Sequence, residues 1–288
     1  MLRIADTRTG HLVEIPAAPR RLLRSCVHLP VIGTGTGPGA GTGIGPVHLR
    51  VPLVGDVLAR IAELNGLQVV TVLTTPELTP DRATALDRVM AVLGIHPPVV
   101  VGAHHPDAAL GGPADVHVVA QGADIGDATG GGRIEVGRVG TVLLEEGVPD
   151  PGHLLSPDRP DVLVPETADP LAVRLLLLHR PYATPVTVTG AALAEARRTL
   201  RQWRRQVADW AQEPSRPIPA DLLRESHAAL VDDLDVAAVL DLLADVAERS
   251  DVPSGAKFET FAHLDRVLGL DLVRDVGHQY IPEGPTPR

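Results

Sequence analysis

Leu22-Leu23-Arg24-Ser25-Cys26-Val27-His28 and Leu67-Gln68-Val69-Val70-Thr71-Val72-Leu73 decide the fold, because of what stands between and after them. Both runs are apolar over strand length, the pattern of strands buried on both faces of a sheet. Between them, Val51 to Asn65 has helical period and is closed by Gly66, where a C-terminal cap needs positive φ. After the second run, Thr79-Pro80-Asp81 supplies an N-cap, a first-turn proline and an acid beside the positive helix end. Leu86, Val89, Met90 and Leu93 then share one helix face, and Gly94 ends the segment. Pro98 to Gly102 and Ala114 to Ala120 are two further strand-length runs. This alternation predicts an α/β fold, a Rossmann-like parallel sheet with right-handed crossovers.

Beyond Pro170 the pattern changes to long apolar-periodic segments joined by short turns. Thr189 can cap a helix on which Leu193, Ala196, Leu200, Trp203, Val207 and Trp210 repeat near a heptad. Arg197, Arg198, Arg201, Arg204 and Arg205 fall on its remaining face, which reads as a solvated basic stripe. Val236, Val239, Leu240 and Leu243 mark another amphipathic helix, and Phe258, Phe261, Leu264 and Leu268 a last one. Two units follow: residues 1–165 as the Rossmann-like part and residues 166–288 as an antiparallel helical bundle, with the boundary near Asp158 to Asp169.

The 288 residues are 44% hydrophobic and 22% charged, enough apolar matter for a sizeable core. Only 2% are aromatic, so stacking of bases on rings is poorly supplied, and a net charge of -10 repels a phosphate backbone. One cysteine, Cys26, excludes an intrachain disulfide and fits a reducing cytoplasm. The N-terminus reads as neither a signal peptide nor a membrane span, because no run nears about 20 apolar residues. Lys257 is the one lysine, so nearly all cationic charge is arginine.

Ligands of parallel sheets gather where strands end and helices begin. After the Cys26 strand stands Gly33-Thr34-Gly35-Thr36-Gly37-Pro38-Gly39-Ala40-Gly41-Thr42-Gly43-Ile44-Gly45, then Pro46-Val47-His48-Leu49-Arg50. Such a loop can cradle phosphates at a helix start, yet it lacks the lysine of a P-loop and reads equally as a flexible linker. The paired acids Glu145-Glu146 and Asp232-Asp233 are sequence neighbours that point apart, and no GxSxG context is present.

The order of these segments carries a resemblance. Leu2 to Gly10, the Cys26 strand, His48-Leu49-Arg50 leading into Gly55-Asp56-Val57-Leu58-Ala59-Arg60, and Leu67 to Val72 follow one pattern. So do Asp115-Val116-His117, Asp169 to Leu175, Pro181-Tyr182 and Leu234-Asp235-Val236. The chain resembles the class I cysteinyl-tRNA synthetase family, and in layout its actinobacterial relatives that join cysteine to glucosaminyl-inositol in mycothiol synthesis. The resemblance implies ATP as cofactor, His48 as the catalytic residue, and Cys26, Gly43, Gly45, His48, Arg50 and His117 as ligand-binding residues.

The sequence departs from the family where its chemistry is sharpest. The family holds zinc through two cysteines, a histidine and a glutamate. Here Cys26 matches the first cysteine, no second exists, and Gly126 to Gly130 stand where the histidine and glutamate are expected. No metal site and no zinc are therefore expected, and His104-His105 lies upstream of that place and reads as part of a turn. The His-Ile-Gly-His signature becomes Gly45-Pro46-Val47-His48, keeping only its second histidine. The Lys-Met-Ser-Lys-Ser loop, whose charge meets the pyrophosphate, corresponds to a lysine-free stretch near Glu146 to Arg159. The chain also ends soon after its last predicted helix, where the family's tRNA-reading part would follow, so tRNA is not expected as a partner.

Two outcomes fit this pattern. One is a degenerate cytoplasmic member that binds a nucleotide or other small ligand, or acts as a protein partner or regulator. The alternative is an active ATP-dependent ligase joining an amino or other carboxylic acid to a small amine through an acyl-adenylate, with Arg50 or Arg159 replacing lysine.

Overall fold

The structure, a computed structural model, describes residues 2–15, 21–30, 46–102, 106–125, 130–141 and 169–277. Its centre is a five-stranded sheet built from β3 (Leu22–His28), β4 (Gln68–Thr75), β5 (Val99–Gly102), β6 (Val116–Ala120) and β7 (Gly132–Val136), in the order β5-β4-β3-β6-β7. Every neighbouring pair is parallel. The expected α/β class and parallel sheet are thus present, with α1 (Pro46–Leu64) and α2 (Pro80–Val92) as helical connections between the first strands. Thr79 caps α2 by accepting from the Arg82 amide at 3.4 Å, and Gly66 and Gly94 both take positive φ at helix ends.

The sheet is covered on both faces, which is why its strands read as nearly continuous apolar runs. Alternate residues of a strand face opposite ways. Val27 therefore meets α1, where Gly55 lies so close that a Cβ there would sit 2.5 Å from the Val27 Cγ2. Cys26 points the other way, into a small apolar cluster with Val72, Ala114 and Leu110 of α3 (Pro106–Leu110).

An N-terminal hairpin, β1 (Arg3–Asp6) with β2 (His11–Glu14), packs beside β7. β8 (Val139–Thr141) pairs in parallel with β9 (Val186–Val188), tying the far end of the sheet region to the turn after α4 (Leu171–Leu178). The helices that follow are α5 (Gly190–Trp210), α6 (Ala220–Val231), α7 (Val236–Glu248) and α8 (Ser254–Leu268). α5 packs on α4 and α8, and Phe261 of α8 receives Trp203 and Trp210 edge-on, with ring centroids 5.7 and 5.1 Å away. Thr189 caps α5 through the Ala192 amide at 3.1 Å, as expected.

Among the described residues, three arginines are wholly buried and fasten segments together. Arg174 donates to Asp56 at 2.7 Å and to the carbonyls of Leu93, Gly94 and Leu268, so one side chain joins α1, the end of α2, α4 and the end of α8. Arg204 corrects the basic-stripe expectation. It is 2% exposed, beside Trp203 on the inward side of α5, with its guanidinium on Asp169 and on the carbonyls of Leu270 and Asp271. Arg198, Arg201 and Arg205 are exposed as expected, while Arg197 is half-buried. Of the expected boundary near Asp158 to Asp169, only Asp169 lies within the described residues.

Candidate functional site

The strand order reverses between β3 and β6. From β3 the chain runs outward through β4 to β5, then returns to the other side of β3 as β6 and continues to β7. A crevice at such a switch point is where open parallel sheets bind ligands. Three chemically active side chains meet where these two strands adjoin. Cys26 and His28, two residues apart on β3, project to the same face, and His117 on β6 stands directly opposite Cys26 in the strand register. The Cys26 sulfur and one ring nitrogen of each histidine all lie within 4.8 Å of one another.

Hydrogen bonds fix both rings. The His28 Nε2 lies 3.0 Å from the His117 Nδ1, so one of these nitrogens donates and the other accepts. On its other side, the His28 Nδ1 is 3.0 Å from the hydroxyl of Thr74, its register partner on β4. His117 has a second partner in the backbone of Gly130. Cys26 is fully buried and His117 nearly so, whereas His28 is half-buried at the end of its strand.

Burial, reinforced by the Asp107 carboxylate, pushes the Cys26 thiol up to about 12. Burial, with His117 and Arg133 nearby, lowers His28 to about 4. Burial also lowers His117, against the opposing pull of Gly130 and Asp107. At neutral pH the cluster is thus a thiol facing two neutral imidazoles. A protonated, buried thiol is a poor nucleophile. Neutral imidazole lone pairs beside sulfur are instead the donor set of a borderline metal such as zinc, and three protein donors with a fourth position left over is an arrangement known for that ion. The residues present therefore fit a metal, although the family's second cysteine and glutamate are not among them.

The structure brings together two of the expected site residues, Cys26 and His117, and adds His28, for which the sequence reading gave no role. Its signal was the Cys-x-His spacing, which on a strand places both side chains on one face. Arg50 is directed elsewhere. Only 1% exposed, it donates to the carbonyls of Gly137, Thr184 and Pro181 at 3.0, 2.6 and 3.0 Å, clasping the β8 and β9 region onto α1. Burial lowers it to about 10. His48 lies in the first turn of α1 and is half-buried. That turn begins at Pro46, five residues before the start predicted at Val51, with proline at the first helical position. Gly43, Gly45 and the rest of the glycine-rich loop lie outside the described residues, as do His104-His105, Gly126 to Thr129 and the stretch from Glu146 to Arg159.

Other candidate groups have structural employment. Asp233, which takes positive φ, accepts from the Ala5 amide and the Tyr182 hydroxyl, holding the N-terminal hairpin to the helical part. Lys257 is buried in α8 and donates to the Ala247 carbonyl at 2.8 Å, 5.3 Å from the centre of the Trp210 ring. Among the described residues, no helix is long and apolar enough to cross a membrane.

No protein-family model matches the chain. Curated relatives are L-cysteine:1D-myo-inositol 2-amino-2-deoxy-alpha-D-glucopyranoside ligases. That of Beutenbergia cavernae is 33% identical over 130 residues, 42% of this chain and 30% of the relative. That of Streptomyces griseus is 41% identical over 75 residues, 26% of this chain and 17% of the relative. The chain thus spans under a third of the length of the relatives it matches. Among solved structures, a Campylobacter jejuni chain described as an arginyl-tRNA synthetase has a TM-score of 0.45 at 11% identity, over 87% of this chain and 89% of that one. These ligase matches, each over less than half of the chain, support its resemblance to a class I synthetase-like family.

Proposed function

We propose that the chain is a degenerate class I synthetase-like protein that holds a nucleotide or another small ligand at the switch point between β3 and β6 and has lost efficient amino-acid adenylation. The observation that carries this reading is the fate of its cations. Adenylation releases pyrophosphate, and positive charge placed on the leaving phosphates supplies several kcal/mol of transition-state stabilisation. The one lysine, Lys257, is enclosed in the helical part on the Ala247 carbonyl. Arg50, which the resemblance implies as a ligand-binding residue and which could have replaced a lysine, is held by three backbone carbonyls.

The scaffold keeps a parallel sheet with a switch point, the place where such sheets bind ligands, and polar side chains converging there. Calorimetric titration with ATP, cysteine and a non-reactive cysteinyl-adenylate mimic tests this reading. Binding of ATP or the mimic is expected, and flat traces with all three would remove it. A cytoplasmic setting, in which the thiol of Cys26 stays reduced, accords with this role.

A second reading, an active ATP-dependent ligase joining a carboxylic acid to a small amine, is favoured by the identity to the ligases, which reaches 41% over a short stretch. Pyrophosphate exchange screened over amino acids separates the two. No exchange is expected; exchange with any acid would establish the ligase in place of the degenerate form.

A further inference from the structure

We propose that Cys26, His28 and His117 form a three-donor site for a borderline divalent ion, zinc foremost, with one coordination position left for water or an exogenous ligand. The donor set differs from the metal donors that the family resemblance implies, since only Cys26 is shared and neither histidine is among them. It follows from the fold. Alternation along β3 puts Cys26 and His28 on one face, and the parallel register of β6 places His117 opposite Cys26.

Distances agree with such a site after small adjustments. Metal–nitrogen bonds of about 2.0–2.1 Å and metal–sulfur bonds of about 2.3 Å separate tetrahedral donors by about 3.3–3.6 Å. The facing nitrogens here are 3.0 Å apart, and all three donor atoms lie within 4.8 Å. The two nitrogens must part by about 0.3–0.6 Å and the widest pair close by no more than about 1.5 Å, shifts within reach of side-chain rotation.

Each histidine has the outer partner that a ligating imidazole uses to fix its tautomer. With Nε2 of His28 on the ion, the Nδ1–H donates to the Thr74 hydroxyl, now 3.0 Å away. With Nδ1 of His117 on the ion, its other nitrogen keeps the proton, and Gly130 offers backbone alongside. Val70, Val72, Leu110 and Ala114 surround the sulfur with apolar groups, which favours a closed site over an exposed, adventitious one. One thiolate and two imidazoles select zinc, cobalt, nickel or copper over magnesium and calcium. Proton balance is simple: the thiol loses one proton to solvent, each imidazole keeps one, and the ion gains three bonds.

Untagged full-length chain, stripped with chelator, should be titrated with Co2+ alone and then with Zn2+, without nucleotide or amino acid, so that the result stands apart from the ligand reading above. One equivalent of cobalt should give tetrahedral visible bands with a near-ultraviolet sulfur-to-cobalt band, and zinc should displace it. About one proton should be released per zinc in weak buffer. H28N, at the half-buried position, should weaken zinc binding on the order of tenfold or more, and C26S should remove the sulfur band. Wild-type chain that leaves the cobalt spectrum unchanged would overturn the site. So would H28N that binds zinc as tightly as wild type, since the ion would then sit on other histidines. If C26S or H117N fails to fold, the wild-type spectrum and H28N still decide.

Discussion

Lys257 donates its ammonium proton to the carbonyl of Ala247 at 2.8 Å, inside the helical part of the molecule. A lysine held there is a packing element, whatever its counterparts do in adenylating enzymes. Lys257→Met should move stability by no more than about 1 kcal/mol, because loss of a charge-assisted hydrogen bond is offset by relief of a buried charge. ATP affinity should be unchanged. Urea unfolding and calorimetry check both, and a loss of ATP binding at unchanged stability would place the lysine at the ligand site.

Arg50 is the second test of where cations work. Arg50→Met leaves the carbonyls of Gly137, Pro181 and Thr184 without their donor and should destabilise the fold by about 2–4 kcal/mol. ATP affinity of the fraction that remains folded should match the wild type. A variant of wild-type stability with weakened ATP binding would instead make Arg50 a phosphate ligand.

Asp56 sets the acid limb of stability. Burial alone would raise its carboxyl, but hydrogen bonds from His96 and the guanidinium groups of Arg174 and Arg60 hold it well below the usual carboxylate range. Because the folded value is depressed, its contribution is complete above the unfolded value of about 3.9 and is lost as pH falls below it. Asp56→Asn strands the buried Arg174 charge and should cost about 3–5 kcal/mol at pH 7. Urea midpoints from pH 6 to 2 should fall more steeply for the wild type than for the variant, and parallel curves would refute the assignment.

Gly55→Ala reverses an ordinary expectation. Alanine in a helix interior normally gains up to about 1 kcal/mol over glycine. Here the added Cβ would meet Val27 Cγ2 at 2.5 Å, so a loss of about 1–3 kcal/mol is expected. Combination with Val27→Ala should recover part of that loss, a coupling of at least about 0.5 kcal/mol in a double-mutant cycle. Strict additivity of the two changes would exclude the contact.

The parallel sheet was legible because β3, β4 and β6 are buried on both faces, which forces apolar runs that stand out in sequence. The hairpin of β1 and β2, and the strands β7, β8 and β9, were not, since each has three to five residues with polar or glycine members. Arg204 was assigned to the surface by its neighbours in the arginine run, although its partners, Asp169, Leu270 and Asp271, are far along the chain. The sequence alone gives His28 no role for a related reason. Its significance arises only when β6, about ninety residues on, brings His117 to within 3.0 Å. Propensity and period report local order, while long-range pairing decides which side chains converge.

Composition divides this chain into two halves, but Arg174 does not permit them separate lives. Cut anywhere between residues 142 and 168, the leading piece would keep the Asp56 carboxylate in its interior with its deepest counter-ion gone. The trailing piece would keep a guanidinium stripped of that carboxylate and of the Leu93 and Gly94 carbonyls. Neither fragment is a transplantable module, and a hybrid that swaps one half for a homologous one must bring both members of the pair from the same parent.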